Sequence, residues 1–245
     1  MTDNIGIVIP ARHQSTRLPG KPLINLAGKS MIQRTWEKCV KALPEELVYV
    51  ATDSELVASH VSNFGGRFIM TSCQCLTGTD RIAEANKKLN FDLVINVQGD
   101  EPIIDPEDIK IVINFAQNNP GNVVCAISKV DNEEDFRSAT IPKVAKSLSN
   151  DLLYMSRAPI PGSKDGGFHS AYKQICIYAF PKKALDFFSK IQEKTPFEYT
   201  EDIEILRFIE QGVGVKLVEV SGKSIAVDVE SDIQRVLRII KKDER

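Results

Sequence analysis

Short runs of branched apolar residues alternate along the chain with longer segments in which apolar residues recur every three or four positions. The runs predict buried strands, because a strand covered on both faces is apolar throughout. The longer segments predict amphipathic helices. The predicted strands cover residues 5–9, 47–51, 93–97 and 123–127, and the predicted helices cover residues 31–41, 54–64, 79–89 and 106–118. This alternation is typical of βα units that feed a parallel sheet.

The pattern changes after about residue 130. Residues 143–147 and 152–156, separated by Ser149-Asn150-Asp151, predict a hairpin, and residues 172–180 predict a further strand. The regular pattern then returns, with helices predicted at 181–192, 201–211 and 231–242 and a strand at 215–220. We therefore expect a single three-layer, Rossmann-like α/β domain over residues 1–245, in which about residues 131–180 form an inserted β-rich lobe that serves as a lid or a dimer contact.

Charge and hydropathy narrow the range of partners. The chain has 31 basic and 33 acidic residues, so no basic excess is present to bind nucleic acid or anionic lipid. No apolar run approaches the roughly 20 residues that a membrane helix needs, and the first residues lack the pattern of a secretion signal. Five cysteines, an odd number, are typical of reduced thiols. We expect a cytoplasmic protein with neither a nucleic acid nor a membrane as partner.

The loop after the first predicted strand holds the most conspicuous cluster of cations. Arg12, Arg17 and Lys21 lie within ten residues, at the position where open α/β sheets bind ligands. Two guanidinium groups and an ammonium can hold several phosphate oxygens. The loop has neither the GxxxxGK(S/T) pattern nor a GxGxxG turn, which excludes ordinary kinases and dehydrogenases. The alternative, a solvated basic loop, explains poorly why the cations follow a buried strand.

Two carboxylates are candidates for a metal site. Asp100 follows the strand predicted at 93–97, and Asp228 could reach the same crevice from a later segment. Alone, each could equally be a residue at a strand end or in a turn. Together with phosphate oxygens, they would form an oxygen site that suits Mg²⁺.

Four segments carry a resemblance to a known family. Residues 10–23, 76–84, 94–102 (VINVQGDEP) and 226–232 (AVDVESD) resemble, in order and spacing, motifs of the CMP-KDO synthetases, which activate 3-deoxy-manno-octulosonate (KDO) with CTP. The resemblance implies the nucleotide-diphospho-sugar transferase fold and a homodimer that meets through the inserted lobe. It also implies a CTP-dependent reaction, assisted by Mg²⁺, that yields a CMP-sugar and diphosphate for lipopolysaccharide biosynthesis.

The same resemblance implies roles for individual residues. Catalysis would depend on Arg12, Lys21 and Asp100, and Mg²⁺ would be held by Asp100 and Asp228. The nucleotide would contact Arg12, Arg17, Lys21, Gly78, Arg81 and Gln98, and the sugar would contact Arg157, Gln174, Tyr178, Asp202 and Glu204.

Two departures from the family bear on the identity of the sugar. Gln174 stands where the family usually has a histidine, and Asp202 is an added acid. A carboxylate near the pocket would suit the ammonium of 8-amino-3,8-dideoxy-octulosonate, so this analogue is a second candidate substrate. Asp202 is equally compatible with a solvated helix residue. A synthetase for sialic acid and a nucleotide-binding protein that has lost catalysis are the remaining alternatives.

Overall fold

The computed structural model describes residues 4–14 and 18–243. The strands are β1 (Ile5–Pro10), β2 (Asn25–Leu26), β3 (Lys29–Ser30), β4 (Val48–Thr52), β5 (Arg67–Met70), β6 (Leu93–Val97), β7 (Val123–Lys129), β8 (Lys143–Lys146), β9 (Leu152–Ser156), β10 (Tyr172–Pro181) and β11 (Val215–Glu219). The helices are α1 (Met31–Cys39), α2 (Glu55–Asn63), α3 (Gly78–Leu89), α4 (Pro106–Asn118), α5 (Glu133–Arg137), α6 (Lys182–Phe188), α7 (Pro196–Glu201), α8 (Leu206–Glu210) and α9 (Glu230–Asp243).

The main sheet has the strand order β11-β7-β10-β6-β1-β4-β5. Every neighbouring pair along this order is parallel except the two that involve β10, which runs antiparallel to both β6 and β7. One face of the sheet packs on α1, α2 and α4, and the other packs on α3, α6 and α8. The three-layer α/β fold predicted from the sequence is therefore confirmed, although the sheet is mixed and not purely parallel.

The hairpin predicted after residue 130 is present as β8 and β9, which pair with each other. β8 also pairs with the first residues of β10, where Tyr172 lies opposite Val144. The later part of β10 lies in the middle of the main sheet, between β6 and β7. The strand that ends the predicted inserted lobe is thus shared with the core of the fold.

The prediction of a single helix over residues 201–211 is wrong. The structure has α7, which ends at Glu201, and α8, which begins at Leu206. Between them Asp202 has a φ of 52°, a left-handed conformation that ends a helix. Tertiary contacts explain the break, because Ile203 and Ile205 are both buried and the carboxylate of Glu204, which lies between them, contacts the start of α3. A continuous helix could not satisfy these three positions together.

The strands and helices predicted between residues 5 and 127 agree with the structure to within two residues at each end. The edge strand β5 was not predicted.

Within the described parts of the chain, none of the helices has both the length and the apolar character needed to span a membrane.

Candidate active site

A cavity of about 510 Å³ opens beyond the carboxyl ends of β1 and β6. Arg12, Lys21, Gly78, Arg81, Gln98, Asp100, Arg157, Asp202, Glu204 and Asp228 line it, together with Lys194 and several smaller residues. The sequence predicted that Arg12 and Lys21 would share a cavity with Asp100 and Asp228, and the structure shows that they do. Of the other predicted site residues, Arg17 lies outside the described residues, and Gln174 and Tyr178 do not line the cavity.

Asp100 and Asp228, here called the acid pair, converge on one cation. The Nζ atom of Lys21 lies 2.6 Å from Oδ2 of Asp100 and 3.1 Å from Oδ1 of Asp228. Burial lowers the pKa of Lys21, but the two carboxylates outweigh burial and raise it above its ordinary value. Asp100 and Asp228, which follow Lys21 by 79 and 207 positions in the chain, thus hold its ammonium between them.

Close packing of two strand ends fixes the position of Asp100. A Cβ atom on Gly99 would lie 2.8 Å from the backbone oxygen of Pro10, so glycine allows the end of β6 to approach the end of β1. The hydroxyl of Thr35 on α1 donates to the carbonyl of Gly99 at 3.2 Å. The carboxylate of Asp100 therefore extends from a fixed backbone.

The acid pair is the set of residues that could hold a divalent cation in this cavity. Both carboxylates already contact one positive charge, and hard oxygen ligands are those that Mg²⁺ prefers. Across residues 4–14 and 18–243, no group of three His, Cys, Asp or Glu side chains could hold a metal ion. Mg²⁺ commonly takes one or two protein carboxylates and completes its shell with water and substrate phosphates, so a pair of acids fits it.

The N-terminus of α3 forms another wall of the cavity. Glu204 accepts hydrogen bonds from the backbone nitrogens of Gly78 and Thr79, at 2.9 and 2.7 Å, and from the hydroxyl of Thr79 at 2.6 Å. Burial raises the pKa of Glu204, although these hydrogen bonds oppose the shift. A Cβ atom on Gly78 would lie 3.2 Å from Nε2 of Gln98, so these two residues pack closely together. Glu204 thus lines the cavity while its carboxylate caps a helix.

Arg81 lies on the first turns of α3 and is almost fully buried. Its Nη2 atom lies 2.8 Å from Oδ2 of Asp53, and its Nη1 atom donates to the hydroxyl of Thr71 at 2.6 Å. These contacts hold the guanidinium of Arg81 rigidly at the cavity wall.

Arg157, Asp202 and Lys194 form one contiguous group in the lining of the cavity. The guanidinium of Arg157 donates to the backbone oxygens of Glu201, Ala139 and Asp202, which uses three of its five N–H groups. The Nζ atom of Lys194 lies 2.6 Å from Oδ1 of Asp202. The acid predicted to meet an ammonium on the sugar is thus already paired with a lysine of the same chain.

Lys194 is the cavity-lining cation that the sequence analysis missed. It immediately precedes Thr195, which forms a capping box with Glu198 at the start of α7. That capping pattern could have placed the lysine at the entrance to a helix, but nothing in the spacing indicated that it faces a cavity.

Gln174 and Tyr178 contact each other instead of the cavity. The amide of Gln174 donates to the hydroxyl of Tyr178 at 2.7 Å. Tyr178 is buried, its ring stacks on Phe180 with centroids 5.7 Å apart, and burial raises its pKa well above the ordinary value. The sugar-binding roles of these two residues stay predictions.

Comparison with known proteins assigns the chain to a family. A family model described as cytidylyltransferase matches residues 6–225. A 3-deoxy-manno-octulosonate cytidylyltransferase of Geobacter sulfurreducens is 38% identical over 97% of this chain and 100% of its own length. The protein of the same name from Escherichia coli is 34% identical over 97% of this chain and 96% of its own length.

Solved structures agree with these sequence matches. A CMP:2-keto-3-deoxy-manno-octonic acid synthetase complexed with CTP superposes with a TM-score of 0.91 at 33% identity, over 98% of this chain and all of its own. A glucose-1-phosphate thymidylyltransferase from Bacillus anthracis, at 16% identity and a TM-score of 0.70, shares the fold. These similarities favour neither the 8-amino sugar, nor sialic acid, nor a silent nucleotide-binding protein. The chain therefore belongs to the cytidylyltransferase family, with the 3-deoxy-manno-octulosonate cytidylyltransferases as its relatives.

Proposed function

We propose that this protein transfers the cytidylyl group of CTP to 3-deoxy-manno-octulosonate and releases diphosphate. The observation that carries the proposal is the acid pair, which meets a single cation in a cavity that Arg12 also lines. Proteins that share this fold and a third or more of the sequence bear the name of this activity. The product would serve lipopolysaccharide biosynthesis.

The reaction requires in-line attack of the anomeric hydroxyl on the α-phosphorus, with loss of the bond between that phosphorus and the bridging oxygen of the diphosphate. Asp100 and Asp228 would hold Mg²⁺, which, when bound, screens the phosphate charge and makes a coordinated hydroxyl more acidic. Lys21 and Arg12 would supply positive charge to the phosphates and to the leaving diphosphate. Gln98 and the backbone near Gly78 would contact the nucleoside.

The proposed function also includes a homodimer in the cytoplasm. Apolar side chains of the hairpin and of α7 are exposed, namely Leu148 and Leu153 on the hairpin and Phe197 and Tyr199 on α7. The rings of Tyr154 on β9 and Phe197 on α7 contact each other with centroids 5.5 Å apart, so the hairpin and α7 pack together. A second copy of the chain would cover part of this exposed apolar area.

The direct test measures diphosphate release from CTP with Mg²⁺ and a panel of sugar acids. We expect release and a CMP-sugar product with 3-deoxy-manno-octulosonate, because the relatives carry the name of that substrate. Weaker turnover is expected with the 8-amino analogue and with sialic acid, and none without a sugar. A clear preference for either alternative sugar would correct the substrate, and no release with any sugar would contradict the activity.

We propose that Lys194 binds the carboxylate of the sugar acid. Its ammonium lines the cavity, and its present partner Asp202 is exposed over 67% of its side chain, so solvent already weakens their attraction. Arg157, whose guanidinium keeps two N–H groups beyond its three carbonyl contacts, lies in the same group. Lys194 and Arg157 thus place two positive charges in one part of the cavity lining, which suits a substrate that carries a carboxylate.

Replacing Lys194 with methionine is expected to raise the KM for the sugar acid about 10-fold or more, because a hydrogen bond to a charged group contributes roughly 1.5–3 kcal/mol. The KM for CTP should change less than about twofold. Lys190→Met, at an exposed position outside the cavity lining, is the matched control. Steady-state kinetics with each substrate varied in turn provide the measurement. An unchanged KM for the sugar acid would remove Lys194 from the sugar site.

A further inference from the structure

The segment that delivers Asp228 to the site has no regular secondary structure. Residues 221–229, here called the strap, connect β11 to α9 without forming a helix or strand. β11 lies at the edge of the sheet, whereas Asp100 follows β6, three places further along the strand order. At about 4.8 Å between strands, the strap must span roughly 14 Å to bring Asp228 beside Asp100.

The strap lies directly on the strands that it crosses. Gly222 has a φ of 69°, and a Cβ atom there would lie 2.3 Å from the hydroxyl oxygen of Ser128 on β7 and 3.9 Å from Ile175 on β10. Such a close approach fixes the path of the backbone and requires glycine.

Two buried carboxylates outside the acid pair bind the strap. Asp108, on the first turn of α4, accepts hydrogen bonds from the backbone nitrogen and the hydroxyl of Ser221 at 2.9 and 2.7 Å. Glu101 accepts a short hydrogen bond from the hydroxyl of Ser224. The two acids are 1% and 3% exposed. Glu101 and Asp108 follow Asp100 closely in the chain, and the serines that they bind lie in the same strap as Asp228. These hydrogen bonds therefore connect the two segments that carry the acid pair.

Further contacts hold the backbone at Asp228 itself. The backbone nitrogen of Val227 donates to the carbonyl of Asp100 at 3.0 Å, and the Val227 side chain is fully buried against α9. The backbone nitrogens of Asp228 and Val229 both donate to Oδ2 of Asp232 at 3.0 Å. The strap therefore reaches the acid pair with its backbone fixed on both sides.

We infer that Glu101 and Asp108 are positioning residues for the proposed reaction, because through Ser224 and Ser221 they keep the carboxylate of Asp228 beside that of Asp100. Two carboxylates that lie close together repel each other. The hydrogen bonds of Ser221 and Ser224 to buried carboxylates oppose their separation, together with the contacts of Val227 and Asp232, so they contribute to the affinity of the acid pair for a divalent cation. This inference rests on the proposed function, in which the acid pair binds Mg²⁺.

The test is Ser224→Ala, assayed for cation binding without turnover. With CTP present, the Kd for Mn²⁺, measured by electron paramagnetic resonance, is expected to rise about 10-fold or more. The Mg²⁺ concentration for half-maximal diphosphate release should rise by the same factor, and saturating Mg²⁺ should restore most of kcat. Ser224→Thr keeps the hydroxyl and should bind Mn²⁺ nearly as wild type does.

The matched control is Ser189→Ala, which removes a hydroxyl that donates to the carbonyl of Asp186, away from the cavity. It should leave the Mn²⁺ affinity unchanged. If Ser224→Ala fails to fold, Ser221→Ala, which keeps the backbone contact to Asp108, should still weaken Mn²⁺ binding severalfold.

The experiment distinguishes failure of this inference from failure of the metal site on which it rests. If Ser224→Ala lowers the Tm but leaves the Mn²⁺ affinity at the wild-type value, the serine contact is merely structural and the inference is wrong. If wild type and Asp100→Asn bind Mn²⁺ equally with CTP present, the acid pair is not the cation site, and the metal role that the proposed function gives to Asp100 and Asp228 fails instead.

Discussion

Replacing Asp100 with asparagine is expected to lower kcat about 10²–10³-fold or more, with little change in the Tm. The amide keeps the shape of the side chain and one oxygen that can accept a hydrogen bond from Lys21. It loses the charge that, together with Asp228, draws a cation to one point of the cavity. Diphosphate release at saturating CTP, sugar acid and Mg²⁺ provides the measurement.

Asp135→Asn is the matched control for this substitution. Asp135 also forms a partly buried ion pair with a lysine, 3.4 Å from Nζ of Lys173, but it does not line the cavity. Its kcat should stay within about twofold of wild type. Near-normal turnover by Asp100→Asn would contradict the metal role of this residue.

Replacing Arg207 with methionine is expected to lower the free energy of unfolding by about 3–5 kcal/mol. Arg207 is fully buried, and two of its nitrogens contact the two carboxylate oxygens of Glu198 at 2.6 Å each. It also contacts Asp80 at 2.9 Å, and its guanidinium lies 3.8 Å from the ring centroid of Phe188. Methionine would fill much of the space but leave the equally buried Glu198 as an uncompensated charge.

Urea unfolding of Arg207→Met should be compared with that of Arg137→Met. Arg137 contacts Glu133 at 2.7 Å, nearly the same distance, but both side chains are about half exposed. Such a surface pair contributes at most about 1 kcal/mol. The double variant Arg207→Met with Glu198→Gln should recover part of the lost stability, because the buried charge is then absent. Equal effects of the two arginine substitutions would show that burial of the Glu198 pair is not what stabilises this region.

Residues whose environment is set by nearby sequence were predicted well. The apolar run of β6 followed at once by Asp100 predicted a carboxylate at a strand end, and its position follows from the topology of an α/β sheet. Lys21 could be assigned to the same cavity because its loop follows β1, whereas Asp228 was assigned to it through the resemblance of residues 226–232 to a family motif. The strands and helices of the first half were found because each carries the full period of its own pattern.

Residues whose environment is set by distant contacts were not predicted. The chain breaks its helix at Asp202 because Glu204 caps α3, more than 120 residues earlier in the chain, and no local pattern contains that information. Lys194 contacts the side chain of Asp202 at that break, a contact that no local pattern contains either. The edge strand β5 is short and largely exposed, so it lacks the apolar run that revealed the inner strands.

The antiparallel strand β10 also constrains the order in which the sheet can be assembled. Among the described strands, β7 pairs only with β10 and β11, both of which follow it by more than 40 residues. During synthesis on the ribosome, β6, β1, β4 and β5 can form a parallel unit as soon as they emerge, whereas β7 stays unpaired until β10 has emerged as well. The part of the chain that carries Arg12, Lys21 and Asp100 can therefore fold early, and β10 then joins the late half of the protein to it.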